Sequence, residues 1–151
     1  MSMVLALVAN LLAAAGAIGD VLMRRLPNVL CLALAIVCAA WSFVGLGASG
    51  LGSAALHALV ALLVGMGLFK LEMAGAGDAK FYTALAFGVP LSDAFAMVLW
   101  MSLGGLAMLV VMAMHRRMTG ERSERAGQWS VPYGVAIYCG FIGACWPRLA
   151  G

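Results

Sequence analysis

The sequence predicts an all-α membrane protein, a single domain over residues 1–151 built as a bundle of about six transmembrane helices. Of its 151 residues, 65% are hydrophobic and only 10% are charged, and the mean hydropathy is +1.06. Soluble domains carry about 25% charged and roughly 45–50% apolar residues, so the outer surface must face lipid. At about 20 residues for each helix that crosses a ~30 Å hydrocarbon core, the length leaves no room for a separate soluble domain.

Apolar runs divide the chain into the predicted helices. Their approximate bounds are 2–19, 28–47, 51–70, 79–92, 94–114 and 132–147. The first run has no basic residue before it, and cations follow it, which is the reverse of a secretory signal peptide. We therefore expect a membrane helix with its N-terminus outside. The fourth run is short for a full span, and it can start below the membrane surface only where protein or water shields its backbone.

The basic residues orient the predicted bundle. Eight of the nine Lys and Arg residues lie in or beside the loops after the first, third and fifth runs, and only Arg148 lies on the other side. Cytoplasmic loops carry an excess of Lys and Arg, so we expect both termini outside and three cytoplasmic loops, with Arg24 mainly as an orientation determinant. This asymmetry accounts for the net charge of +3, and no nucleic-acid partner is inferred from it.

Two acidic residues, Asp20 and Asp78, stand at helix ends on the predicted cytoplasmic face. Asp20 is predicted to end the first helix and Asp78 to begin the fourth, so a six-helix bundle can bring them together. Peptide hydrolysis by an aspartic pair needs one ionised carboxylate to take a proton from water and one protonated carboxyl to donate to the carbonyl oxygen. Two nearby carboxyls do not both ionise cheaply, so such a pair keeps one proton. The alternative is two unrelated acids, each solvated at its own helix end.

The other reactive side chains are predicted to have structural roles. The sequence has no CxxC pair and no Cys/His cluster with metal-ligand spacing, and we expect neither a metal nor a cofactor. Asp93 suits the N-cap of the fifth helix. His57 lies in an apolar helix and His115 borders a basic loop, and neither has an obvious catalytic partner. The cysteines, all within apolar runs, are Cys31, Cys38, Cys139 and Cys145.

Three short motifs occur in order along the chain. Residues 20–28 read Asp-Val-Leu-Met-Arg-Arg-Leu-Pro-Asn, residues 75–80 read Gly-Ala-Gly-Asp-Ala-Lys, and residues 131–137 open with Val-Pro-Tyr-Gly. The first resembles the first-aspartate motif of the type IV prepilin peptidases, in which basic residues and a hydrophobic-Pro-Asn triplet follow the aspartate. The second is the GxGD motif of these membrane aspartic proteases, and the third resembles the Pro-Tyr-Gly opening of their last helix. The resemblance covers nearly the whole chain.

This resemblance implies a membrane aspartic endopeptidase with Asp20 and Asp78 as its catalytic pair. The chain is most similar to the short single-domain members that serve Flp (Tad-type) pili. Its implied substrate is a prepilin or pseudopilin with a basic leader, cleaved at the cytoplasmic face of the bacterial inner membrane, where lipid is the other partner. The cysteine-paired region of the longer, bifunctional members is absent, so N-methylation is not implied. The oligomeric state is left open.

The GxGD motif and its surroundings suggest supporting residues. Gly75 and Gly77 let the backbone bend tightly and let an extended substrate approach. Lys80 is expected either to influence the ionisation of Asp78 or to be an ordinary cation at a cytoplasmic helix end. Glu72 is a candidate contact for the basic leader of a substrate.

Residues of the first and last motifs also have plain structural interpretations. Pro27 closes the loop after the first helix, and Asn28 is a good N-cap for the second. Pro132 suits the first turn of the last helix. Tyr133, next to Gly134, is either an interfacial tyrosine or a hydroxyl that reaches the site.

Two other functions fit parts of the pattern. Another GxGD protease, such as a preflagellin peptidase or a signal-peptide peptidase, would not be expected to combine Leu-Pro-Asn with the Pro-Tyr-Gly opening. A small transporter or a noncatalytic assembly subunit would use the acids for ion or partner binding. Transporters often show paired structural repeats and helices broken at the midplane, and neither is evident in the sequence.

Overall fold

A computed structural model describes residues 1–23, 26–119 and 133–150, without the side chains of residues 116, 119, 149 and 150. The described residues form helices and their connections, with no strand among them, which confirms the predicted all-α class. In chain order the elements are α1 (Ser2–Met23), α2 (Asn28–Lys70), α3 (Ala76–Ala86), a 3-10 turn (Leu91–Asp93), α4 (Ala94–Thr119) and α5 (Tyr133–Ala150).

The 43-residue α2 is broken at Gly47, whose backbone has φ 72° and ψ −168°. Residues other than glycine rarely adopt a positive φ, so the break falls at this residue and divides α2 into α2a (28–46) and α2b (48–70). A side-chain hydrogen bond joins the start of α3 to the first residue of α2a. In the same part of α3, Ala79 packs against Gly65, near the end of α2b. The two halves of α2 therefore run in opposite directions along α3.

Three of the described helical segments are long and apolar enough to cross a membrane, namely Ser2–Met23, Asn28–Lys70 and Leu91–His115. Their apolar length indicates an integral membrane protein. At 1.5 Å per residue the two halves of α2 add up to about 65 Å of helix, roughly twice the thickness of a hydrocarbon core. Its break lies where the sequence predicted the boundary between the second and third helices. The full number of about six spans stays a prediction.

The first helix extends further than its predicted bounds of 2–19. It continues to Met23, so Asp20 lies about one turn inside α1 and not at its end. The apolar run stops at Asp20, but nothing in the following three residues breaks a helix. The position of the acid at this end of the bundle is unchanged.

The predicted fourth helix, 79–92, is shorter than expected and begins earlier. It starts at Ala76, within the GxGD motif, and ends at Ala86. After this end, the backbone N–H groups of Gly88 and Val89 hydrogen bond to the carbonyls three residues back, which winds the chain more tightly than an α-helix. Pro90 has no N–H to continue the helix, and the chain makes the 3-10 turn before α4.

Small residues let the helices approach closely. Lipid supplies no hydrophobic drive between helices, so close packing must hold them together. An added Cβ at Gly16 of α1 would lie 2.6 Å from the ring of Phe81 on α3, and one at Gly104 of α4 would lie 2.8 Å from Cβ of Cys139 on α5. The buried face of α1 is a stripe of small residues, Ala6, Ala9, Ala13, Gly16 and Ala17.

The bundle has two ends with different polar residues. At one end, here called the site end, α1 ends and α3 and α5 begin, and this end carries Asp20 and Asp78. At the far end, Arg148 donates a 2.9 Å hydrogen bond to the carbonyl of Gly88 and lies 4.2 Å from the centroid of the Trp41 ring. The fold therefore separates Arg148 from the two aspartates, as the sequence predicted.

Candidate active site

Asp20 lies on the same face of α1 as the buried small-residue stripe, four residues after Gly16. Its side chain is half-buried, and its Oδ2 accepts a 2.8 Å hydrogen bond from the backbone N–H of Gly134. Gly134 is the second residue of α5, and N–H groups in the first turn of a helix have no partner within the helix. The Asp20 carboxyl therefore meets the positive end of the α5 dipole, which stabilises a negative charge.

No side chain fits at Gly134 without moving Asp20. A Cβ added there would lie 2.9 Å from both Cβ and Oδ2 of Asp20, closer than a real Cβ approaches other atoms. The glycine of the Pro-Tyr-Gly motif thus allows the α5 backbone to touch the carboxyl. This contact cannot be predicted from the local sequence, because Asp20 lies 114 residues away from Gly134 in the chain.

Asp78 is the third residue of α3, and Gly75 is the N-cap. An acidic side chain at this position reaches back to the N-cap N–H, and the Asp78 carboxyl accepts a hydrogen bond from the Gly75 backbone. A Cβ added at Gly75 would lie 2.9 Å from Oδ2 of Asp78. A Cβ at Gly77 would make only ordinary contacts, the nearest at 3.7 Å from Leu26. A side chain at the first glycine of the motif would therefore displace the end of the Asp78 carboxyl, whereas one at the second would displace nothing.

Burial raises the pKa of Asp78 above its ordinary value, and the negative charge of Asp20 raises it further. The hydrogen bond from Gly75 acts in the opposite direction, because it stabilises the charged carboxylate. Burial and repulsion together outweigh this bond, so Asp78 keeps its proton to a higher pH than an exposed aspartate does. The structure thus brings Asp20 close enough to Asp78 for its charge to affect the proton of Asp78.

Lys80 joins the second motif to the first. Its Nζ donates a 3.1 Å hydrogen bond to Oδ1 of Asn28. The prediction that Asn28 caps α2 is wrong, because Pro27 is the N-cap and this helix start has no side-chain cap hydrogen bond. The Pro27 carbonyl accepts from the N–H groups of Leu30 and Cys31. The Asn28 amide is used between helices instead, and it ties the start of α2a to α3.

The remaining predicted residues lie around this pair or outside the described part of the chain. Tyr133, the first residue of α5, is 50% exposed and lines a cavity that also reaches Asp78. At this position Tyr133 can be an interfacial tyrosine, and it can also be a residue whose hydroxyl reaches the site. Both roles were predicted as alternatives from the sequence. Arg24 and Pro132 lie outside the described residues.

Glu72 has a left-handed backbone conformation, with φ 57°, in the turn after α2b. The N–H groups of Glu72 and Met73 donate to the carbonyls of Phe69 and Leu68, which is the pattern of a Schellman C-cap. Glycine is usual at the left-handed position, because other residues lose about 1–2 kcal/mol there. This turn directs the chain from α2b toward Gly75 and the GxGD motif.

A buried pair, His57 and Tyr82, lies one helical turn along α3 from Asp78. His57 is 3% exposed, with Nδ1 2.9 Å from the carbonyl oxygen of Val89 and Nε2 3.3 Å from the Tyr82 hydroxyl. A carbonyl only accepts, so Nδ1 carries a proton, and in the neutral ring Nε2 accepts from the Tyr82 hydroxyl. The pair joins α2b, α3 and the turn after α3, in keeping with the structural role predicted for His57. Its partners were missed because they are distant in sequence.

A cavity of about 580 Å³ lies between α2b, α3, α4 and α5. Asp78 and Tyr133 line its site end, and apolar side chains form most of its wall. Within the described ranges, no three His, Cys, Asp or Glu side chains come together as a metal site would require. Asp78, one of the two carboxyls at this end of the bundle, thus borders an apolar cavity.

The sequence model of the type IV leader peptidase family matches residues 5–110, more than two thirds of the chain. The matched region contains Asp20 and Asp78 with their motifs and ends before the Pro-Tyr-Gly motif. No curated protein and no solved structure matches the chain.

Proposed function

Because the chain belongs to the type IV leader peptidase family, we propose that it is an aspartic endopeptidase in which Asp20 and Asp78 share one proton. One observation carries this proposal. The Asp20 carboxyl contacts the N-terminus of α5, Asp78 lies in the first turn of α3, and the charge of Asp20 raises the pKa of Asp78. Two carboxyls that repel each other in a partly desolvated site hold a proton between them, which is the condition for aspartic catalysis.

The surroundings of the two carboxyls suggest which one acts as the base and which as the acid in the first step. Asp20 accepts the Gly134 N–H and faces a helix N-terminus, so it is the carboxylate that takes a proton from the attacking water. Asp78, with its raised pKa, donates its proton to the carbonyl oxygen as the new C–O bond forms. In the second step the proton held by Asp20 passes to the peptide nitrogen, Asp78 takes back its own proton from the hydroxyl, and the C–N bond breaks. Each carboxyl acts within hydrogen-bond reach as a general acid or base.

The proposed substrate is an Flp-type prepilin or pseudopilin with a basic leader, cleaved at the cytoplasmic face of the bacterial inner membrane. The resemblance of the three motifs to the short members of the family supports this substrate, and it also supports a peptidase without N-methyltransferase activity. The matched family leaves a related GxGD protease as the second candidate. The position of the cut distinguishes the two.

The proposed topology has about six spans with both termini outside, and the distribution of cations supports it. Lys70, Lys80 and Arg117 lie at the site end of the bundle, and Arg148 lies at the far end. The positive-inside bias then assigns the site end to the cytoplasm. Labelling of a cysteine placed at Ser123, between α4 and α5 in the sequence, tests this in a variant without the native thiols. Reaction only after the cells are opened is expected, and reaction from outside intact cells contradicts the proposed orientation.

Cleavage is tested with purified protein in liposomes and a synthetic prepilin. The synthetic substrate has a Lys-rich leader that ends in glycine, followed by an apolar helix of about 20 residues. Mass spectrometry is expected to show one cut, directly after the glycine, and no methyl group on the new N-terminus when a methyl donor is present. The reaction should survive a chelator. Loss of activity with the chelator and its return with a metal would contradict the aspartic mechanism.

A further inference from the structure

The cavity beside Asp78 continues along the bundle as a groove. On α2b its lining extends from His57 to Leu68, a rise of about 16 Å at 1.5 Å per residue. At the far end the 3-10 turn contacts both α2 and α4, and the N–H of Leu91 donates a 3.0 Å hydrogen bond to Oγ of Ser53. The groove is therefore bridged at the far end and reaches Asp78 at the site end.

The two walls of the groove are α2b and α4, and each packs against a neighbouring helix. α2b packs on α3 and α4 packs on α5, and no helix among the described residues lies between α2b and α4. Val64 of α2b and Val98 of α4 face the groove and are 56% and 44% exposed. The ring nitrogens of His57 and the hydroxyl of Tyr82 already have partners. Beyond Asp78, the groove thus offers an apolar surface with its polar atoms satisfied.

We propose that this groove binds the apolar helix of the substrate that directly follows the cleaved bond. The inference rests on the proposed peptidase function and adds the place where the membrane segment of the substrate docks. A chain whose cleaved bond reaches Asp20 and Asp78 has its next residues at the mouth of the groove, because Asp78 lines both. Within lipid that segment must satisfy its own backbone as a helix. About eleven residues, or three turns, match the 16 Å length.

Continuity with the aspartates favours a substrate helix over other occupants. A lipid chain or a helix from a second copy of the protein would also cover apolar side chains. Neither occupant accounts for a groove that leads to a half-buried carboxyl with a raised pKa. A substrate helix accounts for both features, since its first turn must lie beside the site of cleavage.

Photocrosslinking tests the proposal in liposomes that contain the synthetic prepilin. The photoreactive residue p-benzoylphenylalanine replaces Val64 or Val98 in the groove, and Leu59 or Leu103 as matched controls on the same two helices. Leu59 and Leu103 do not line the groove but are equally exposed, at 53% and 47%. Exposure to lipid alone therefore predicts the same result at all four positions. All four sites are at the surface, so the replacements leave the packed core intact.

We expect a crosslinked product with the synthetic prepilin from positions 64 and 98 and none from positions 59 and 103. Equal yields at the four positions, crosslinks to lipid only, or crosslinks to a second copy of the chain would each overturn the proposal. Cleavage by the unmodified protein is measured separately. Crosslinking without cleavage supports the groove and contradicts the peptidase function, whereas cleavage without preferential crosslinking does the reverse.

Discussion

Both ends of the bundle carry an aspartate near the start of a helix, but the surroundings of these acids differ. At the far end, Asp93 precedes α4 and accepts a 3.2 Å hydrogen bond from the hydroxyl of Ser92. Arg148 of the same end has a carbonyl oxygen and an aromatic ring as partners. At the site end, Asp78 lies in the first turn of α3 and under the repulsive influence of Asp20, a second carboxyl from another helix.

The difference separates a structural end from a candidate catalytic one. The two charged groups described at the far end have hydrogen-bond partners, the Ser92 hydroxyl for Asp93 and the Gly88 carbonyl for Arg148. The site end instead keeps two carboxyls together, and their repulsion when both are ionised works against folding. Backbone N–H groups of α5 and α3 support the two carboxyls without neutralising them. Substitutions at the site end should therefore lower activity more than stability, and substitutions at the far end should do the reverse.

The largest effect is expected for Asp20→Asn and Asp78→Asn. Asparagine keeps the size of the side chain but cannot exchange the shared proton, so each change should lower the cleavage rate by at least about 10²–10⁴-fold. Conversion of the synthetic prepilin is compared in liposomes with equal amounts of each variant. Asp93→Asn, at the far end, is the control and should keep its activity. A near-normal rate in either site variant would show that the assigned pair is wrong.

The next effect concerns two glycines at opposite ends. A methyl group at Gly134 would overlap the Asp20 carboxyl, so Gly134→Ala should displace it and lower the cleavage rate on the order of 10²-fold, as misplacement by about 1 Å does. A methyl group at Gly88 would lie 3.1 Å from the ring of Phe141 and 3.3 Å from Sγ of Cys38. Gly88→Ala should therefore lower the free energy of unfolding by about 1–3 kcal/mol while the folded fraction keeps its rate.

Thermal unfolding and cleavage rates, measured on both variants, separate these effects. The comparison of the two ends fails if Gly134→Ala loses stability but keeps its rate per folded molecule. It also fails if Gly88→Ala loses the rate without losing stability.

A smaller effect distinguishes the two glycines of the GxGD motif. Gly75→Ala moves only the flexible end of the Asp78 side chain, so we expect about a tenfold loss of rate, less than for Gly134→Ala. Gly77→Ala meets no close atom and restricts the unfolded chain, so it should keep the rate and raise the free energy of unfolding by about 0.4–1 kcal/mol. Steady-state cleavage and thermal unfolding of the two variants check this order. Equal losses would show that the motif acts through backbone flexibility at both positions.

Much of the fold could be predicted from the sequence because apolar runs mark helices directly. The break at Gly47 and the start of α4 fall where those runs predicted them. The end of α3 lies earlier than predicted. The sequence stays apolar up to Pro90, although the backbone hydrogen bonds after Ala86 are no longer those of an α-helix. Asn28 was misread for a related reason. Local sequence favours an N-cap, whereas a lysine from α3 takes its side-chain oxygen.

The position of the two acids at one end of the bundle could be predicted from the sequence, but the groups that contact them could not. Asp20 continues the three- and four-residue spacing of the small residues on α1, so its inward position could be read from the sequence. The contact of Gly134 with Asp20 depends on how α5 packs against α1, and no local pattern encodes that packing. The same holds for the bond between His57 and Tyr82 and for the groove between α2b and α4.

The most direct test of the shared proton needs no substrate. Infrared titration of the protein in liposomes follows the protonated carboxyl band, which the raised pKa of Asp78 should keep visible above the pH range of an exposed aspartate. Asp78→Asn should remove this band, and Asp93→Asn should leave it unchanged. Asp20→Asn removes the repelling charge and should shift the titration to lower pH, although burial still keeps it above the ordinary range. An identical titration with and without the Asp20 charge would contradict the claim that the two aspartates act as one unit.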